Sequence, residues 1–235
     1  MIDRPERAMV VTPHPDDAEI GCGGTIAQWI REGTEVVYVL CTNGDKGTGD
    51  RNMTPERLSE IRRKEQADAA DVLGVKEVIY LAHPDGMLED TYEFRGELVN
   101  AIRRHRPDVV FCTDPHRRNF YIHRDHRLSG QVTLDAVFPY ARDHLHYPDD
   151  ITVQGLDTHK VGDVLMWGTE EPDTFVDITE TIEIKISALK KHASQVSGDG
   201  SDTDVDEFVK SNAQRVGQRA EVPYAEAFRR IHFRR

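Results

Sequence analysis

The sequence predicts an α/β protein with a Rossmann-like, doubly wound and mostly parallel sheet, helices on both faces and a helical C-terminal part. Three observations carry that expectation. Short apolar runs dense in β-branched residues recur through the first two thirds of the chain, stretches with apolar spacing near 3.6 lie between them, and the residues able to do chemistry gather just after the runs. Residues 9–12 (MVVT) and 35–41 (EVVYVLC) read as the first two buried strands, 78–82 and 109–112 as the third and fourth, and 163–167 as a fifth. The helical stretches between them are 25–31, 55–73, 94–105 and 128–140. Thr54 stands before Pro55 as an N-cap followed by proline at the first helical position, and Gly74 supplies the residue that closes that helix. After Asp177 the pattern turns helical, at 179–196, 205–219 and 224–233. Between the first two of these lies the loop Ser197-Gly-Asp-Gly-Ser-Asp, and the acidic run after it reads as a cap and first helical turn. A chain of 235 residues, taken whole as 1–235, fits one domain.

Composition excludes several classes of partner. With 30 Lys and Arg against 42 Asp and Glu, the net charge of −12 repels nucleic acid and anionic lipid. Cys22, Cys41 and Cys112 lie far apart in or beside apolar runs, as reduced core residues do, which fits the cytoplasm. The start MIDRPERAM lacks a basic-then-apolar leader, and no apolar run approaches the ~20 residues that span a bilayer. The expectation is a soluble protein with no membrane and no nucleic-acid partner.

The chemistry begins at VVTPHPDDAEIGCGGT, residues 10–25. A dinucleotide site would want a third glycine where Ile26 stands, and Asp16, Asp17 and Glu19 would repel a pyrophosphate. A metal site wants those anions. Pro15 stiffens the turn after His14, and two adjacent carboxylates in a turn can point in different directions, so one can bind a cation while its neighbour overlooks the vacant coordination position. A catalytic zinc needs a third protein ligand. The run TDPHRRNFYIHRDHR after the fourth strand offers Tyr121, His123, Asp125 and His126 within six residues, and strands one and four adjoin in a 3-2-1-4 order. A His-Asp-His site follows, leaving one histidine and a tyrosine for proton donation or oxyanion stabilisation. Singly, each of these residues reads as a turn or solvated side chain. Their joint occurrence favours the metal, with His116 as the competing ligand, whereas His105, His144, His146 and His159 have no such company.

The motifs His14-Pro15-Asp16-Asp17-x-Glu19-x-Gly21 and His123-x-Asp125-His126 resemble those of the PIG-L/LmbE-like zinc-dependent de-N-acetylases. The resemblance extends to Thr42-Asn43-Gly44, Arg62-x-x-Glu65, Pro84-Asp85-Gly86, Ala188-Leu-x-x-His192-x-Ser-Gln195 and Tyr224-Ala-Glu-Ala-Phe228, and so covers nearly the whole chain. It implies His14, Asp17 and His126 as ligands of Zn2+ and Asp16 as general base. It further implies His123 as electrophile or general acid, Asp125 orienting it, Tyr121 near the oxyanion, and Arg62 and Asp85 lining the substrate pocket. From the residues alone, Arg62 could equally pair with Glu65 or Asp68 on its own helix, and Asp85 suits a turn. The implied reaction is metal-assisted removal of acetyl from an N-acetylglucosaminyl-type conjugate or related small amide. The alternative is a zinc-containing sugar-binding or sensing protein without turnover, against which the second carboxylate, Asp16, argues because metal binding alone does not need it. The run 143–150 suits either a rim facing substrate or a contact with a second copy of the chain in a homo-oligomer.

Overall fold

A parallel strand needs an apolar face on each side, and the first strand, β1 (Arg7–Thr12), alternates its core residues between two clusters. The computed structural model describes residues 4–119, 122–196 and 204–233. After β1 come α1 (Asp17–Arg31), β2 (Glu35–Thr42), α2 (Pro55–Leu73), β3 (Glu77–His83), α3 (Tyr92–His105), β4 (Val109–Thr113) and α4 (Arg124–Val137). A 3₁₀ turn at Tyr140–Arg142 leads to α5 (Pro148–Thr152), β5 (Asp163–Trp167) and β6 (Thr174–Asp177). The chain then runs through α6 (Ile182–Leu189), α7 (Ala193–Val196), α8 (Val205–Ala220) and β7 (Ala225–His232).

The strand order is β3-β2-β1-β4-β5-β7-β6. The first five strands pair in parallel, and β7 pairs antiparallel to both β5 and β6. Met9 lies beside Val37 and Val110, which sets the register at the centre. Met9 and Val11 face Phe94, Leu98 and Ile102 of α3 and Val132 and Ala136 of α4. Ala8 and Val10 face the other way, toward Cys22, Ile26 and Trp29 of α1 and Ala69 and Leu73 of α2. The doubly wound sheet expected from the strand–helix alternation is therefore present, with helices on both faces. A third cluster joins Ile178, Ile182, Ile186 and Leu189 to Val209 and Ala213 of α8.

Element boundaries depart from the sequence pattern in instructive ways. Helix α1 starts at Asp17 rather than at 25, because Gly21, Gly23 and Gly24 hide the apolar period while letting the helix lie close to its neighbours. A Cβ at Gly21 would stand 2.5 Å from Trp167, and one at Gly24 2.7 Å from Ile178. Thr54 caps α2 by accepting from Arg57 N–H, and Gly74 closes it at φ 83°, both as expected. Helix α4 begins at Arg124, four residues before the expected start, and the stretch 179–196 splits into α6 and α7 around a buried His192.

The segment expected as a helix at 224–233 is strand β7. Its Ala, Glu and Arg residues favour helix locally, but pairing of its first half with β6 and its second half with β5 overrides that preference. Buried Glu226 anchors it: the carboxylate accepts from Gly24 N–H (2.9 Å), Thr25 N–H (2.8 Å), Thr25 Oγ1 (2.6 Å) and Lys185 Nζ (2.6 Å). The loop 197–203 lies outside the described residues. All three cysteines are buried and free, and among the described residues no helix is long and apolar enough to cross a membrane.

Candidate metal centre and active site

The strand order reverses between β1 and β4, so the loops leaving their carboxyl ends open a crevice there. Thr42 holds the first loop by donating its backbone N–H and Oγ1 to the Pro13 carbonyl, at 3.0 and 2.8 Å. His14 follows, and Asp17 opens α1. On the other side Thr113 Oγ1 donates to the His126 carbonyl at 2.6 Å, which docks the first turn of α4 on the end of β4. A Cβ at Gly130 would collide with the Thr113 carbonyl, so the glycine lets α4 lie close against the end of β4.

These supports bring His14, Asp17 and His126 together. Asp17 Oδ2 lies 3.1 Å from His14 Nδ1 and 3.1 Å from His126 Nε2, and it also accepts from the His14 backbone N–H at 3.1 Å. Two donors each ~2.0–2.2 Å from a tetrahedral zinc stand about 3.3 Å apart, so both contacts match an edge of such a site. Two imidazoles and a carboxylate, all buried, are also the donor chemistry zinc accepts. The far nitrogen of His14, Nε2, lies 3.1 Å from both Asp125 Oδ2 and Asp85 Oδ1. A carboxylate on the far nitrogen fixes the orientation of a ligating imidazole. One ring nitrogen each of His14, His123 and His126 also fall within 4.8 Å of one another, which keeps His123 at the same centre.

Electrostatics ask for a cation here. Burial disfavours charge on His14, yet Asp125, Asp17 and Asp85 outweigh it and raise the imidazole to about 12. Burial raises Asp85 and Asp125, but their contacts with His14 hold both below the usual carboxylate range. Asp16 goes the other way. Burial and then the neighbouring Asp17 charge push it up to about 7, against Arg62, His192 and His14. His123 is lowered by burial and then by the His14 and His126 charges, so the ring is neutral near pH 7.

The remaining expected residues fall out as follows. Asp125 was expected behind His123, but its carboxylate lies on His14 and accepts from Gly86 N–H (2.6 Å) and Leu88 N–H (3.2 Å). It meets His123 through the backbone, donating its N–H to Nδ1 at 3.1 Å as α4 begins. Arg62 pairs with neither Glu65 nor Asp68: Glu65 accepts from Ser194 and Asp68 from Lys64. Buried Arg62 instead donates to the carbonyls of Gly44, Lys46 and Pro15, with Asp16 at 3.7 Å and Asp85 at 3.8 Å. His116 is exposed and lines a separate cavity of about 270 Å³ with Asp114, Glu170 and Arg229. Tyr121 lies outside the described residues.

Three more buried residues lie behind the site: Glu19 and His192 stand in the motifs noted in the sequence, whereas Gln66 escaped the sequence reading. Glu19 Oε1 accepts from Gln66 Nε2 at 3.0 Å, Glu19 Oε2 stands 3.3 Å from His192 Nε2, and all three side chains are fully buried. The signal available for Gln66 was its place one helical turn past Arg62.

Comparison with known proteins places the chain in a family. Residues 9–137 match the PIG-L family model, described as GlcNAc-PI de-N-acetylase. The diacetylchitobiose deacetylase of Thermococcus kodakarensis is 36% identical over 194 residues, covering 83% of this chain and 72% of the relative. The solved N,N'-diacetylchitobiose deacetylase of Pyrococcus horikoshii, complexed with an inhibitor, superposes with a TM-score of 0.90 at 33% identity, covering 97% of this chain and 84% of that one. A 4-carboxy-2-hydroxymuconate hydratase from Pseudomonas putida shares the fold, with a TM-score of 0.80 at 21% identity over 98% of each chain. Motif, sheet and matched relatives converge: this chain belongs to the PIG-L family of de-N-acetylases.

Proposed function

We propose that this protein is a zinc-dependent amidohydrolase that removes the acetyl group from an N-acetylglucosaminyl-type sugar conjugate or a related small amide. The observation that carries the proposal is Asp17 Oδ2 at 3.1 Å from both His14 Nδ1 and His126 Nε2, with a second carboxylate next in the chain. His14, Asp17 and His126 would hold the ion, and Asp125 and Asp85 would fix His14 from behind. Zinc bound there supplies Lewis-acid polarisation of the acetamide carbonyl and lowers the pKa of water from ~16 toward ~7.

The chain's own groups supply the proton traffic. Asp16, raised to about 7, is matched to taking a proton from the attacking water near neutral pH. With Nδ1 of His123 accepting from Asp125 N–H, the neutral ring carries its proton on Nε2 and can donate it in a hydrogen bond to the developing oxyanion. The departing amine needs a proton, because an unprotonated amide nitrogen leaves poorly, and Asp16 can return the one it took. Arg62 and Asp85 would border the sugar as well as hold the loops.

Diacetylchitobiose and N-acetylglucosaminyl conjugates, offered to zinc-loaded protein, test this through released acetate and free amine. Turnover should vanish on chelation and return with zinc. A full panel without release, or release that survives complete metal removal, sinks the proposal.

A further inference from the structure

Asp16 stands at the N-cap of α1, where an aspartate ordinarily accepts from the helix's first N–H groups, yet its side chain makes no such bond. Its backbone explains why. Asp16 has φ 94° and ψ −28°, a left-handed conformation that is rare for a residue with a Cβ and persists only where its surroundings impose it.

The peptide unit between Pro15 and Asp16 is gripped at both ends. Its carbonyl accepts from Arg62 Nη2 at 2.9 Å, and its N–H donates to Gln66 Oε1 at 3.3 Å. Arg62 and Gln66 are four residues apart on α2, so both reach from one helix face. The amide of Gln66 cannot turn around. Its Nε2 donates to Glu19 Oε1, a carboxylate that only accepts, and Glu19 is itself set against His192 in a pocket closed to solvent. The oxygen of Gln66 must therefore face the Asp16 N–H.

We infer that Gln66, backed by Glu19 and working with Arg62, is a positioning residue: it holds the Pro15–Asp16 peptide in the orientation that keeps the Asp16 carboxylate off the helix end and available to the reaction. The function of the grip rests on Asp16 being the base; the grip itself does not. A carboxylate held this way is oriented before substrate arrives, and a misplacement of ~1 Å at such a group costs up to about 100-fold in rate.

The test is a double-mutant cycle with Gln66→Met and Asp16→Asn on zinc-loaded protein, together with crystal structures of the wild type and Gln66→Met. Gln66→Met should lower kcat by roughly 10- to 100-fold with KM and zinc content little changed, and in the Asp16→Asn background it should cause no further loss. The crystal structure should show the peptide rotated and Asp16 out of the left-handed region. Losses that multiply in the double variant, an unchanged kcat, or a peptide that stays in place each overturn the inference. If Asp16→Asn alone keeps full activity, the assignment of the base falls, and the peptide orientation in Gln66→Met still decides the grip. If Gln66→Met does not fold, it is made together with Glu19→Gln, which removes the buried charge left without its donor, and is read against Glu19→Gln alone. A rotated Pro15–Asp16 peptide with lowered kcat supports the inference, and a peptide that stays in place overturns it.

Discussion

At the residue scale the proposed site divides into groups that would hold a cation and groups that would face substrate, and metal affinity separates them. His126→Ala removes a proposed ligand and should abolish tight zinc binding along with turnover. His123→Ala should keep the zinc and lose about 3 kcal/mol of transition-state stabilisation, as deletion of an oxyanion donor does. Asp125→Asn falls between them. Because its carboxylate lies 3.1 Å from His14 Nε2, zinc should bind roughly 10- to 100-fold more weakly. Zinc titrations on the three variants read this order, and a His123→Ala protein that alone lost zinc would reverse the assignment. His14, Asp16 and Asp17, like His123 and His126, were legible because each motif is local. Gln66 was not, since its partner Glu19 lies 47 positions away in sequence and nothing around Gln66 announces the contact.

At the element scale the strands were readable wherever β-branched residues fill both faces, as in β1, β2 and β4, because burial on two sides leaves a continuous apolar run. Strand β7 was not readable, because AEAFRRIH carries helix-favouring residues and only its partners make it a strand. The bond that holds it also offers a prediction. Lys185 on α6 and Glu226 on β7 are both buried, so Lys185→Met leaves a carboxylate without its counter-charge and should destabilise the protein by about 3 kcal/mol or more. Urea unfolding measures it, and the double change Lys185→Met with Glu226→Gln should recover part of the loss. A single variant within ~0.5 kcal/mol of wild type, inside the range of an ordinary surface substitution, would show that the backbone N–H donors of α1 satisfy Glu226 alone.

At the scale of the molecule the candidate site joins three stretches of chain distant in sequence: 14–17 after β1, Asp85 after β3 and 123–126 at the start of α4. An ion bound only by the folded arrangement stabilises it by mass action, about 2.7 kcal/mol at a hundredfold excess over Kd. For a chain of this length that corresponds to a Tm lower by roughly 5–10 °C after zinc is stripped. Thermal scans with and without chelator should show the shift in wild type and none in His126→Ala. An equal shift in both would mean the ion stabilises the fold from somewhere else.

The glycines of α1 bear on the site without touching it. Gly21 meets the ring of Trp167 and Gly24 meets Ile178 with no room for a single carbon between them. Their missing side chains thus set how closely the helix lies against β5 and against the residue that follows β6, and Asp17 is that helix's first residue. A methyl group at either position would act as a shim, lifting a rigid rod whose end carries one of the three candidate ligands, while His126 stayed with the opposite wall. The distance across the candidate metal centre is in this sense gauged one and two turns away, by atoms the sequence leaves out.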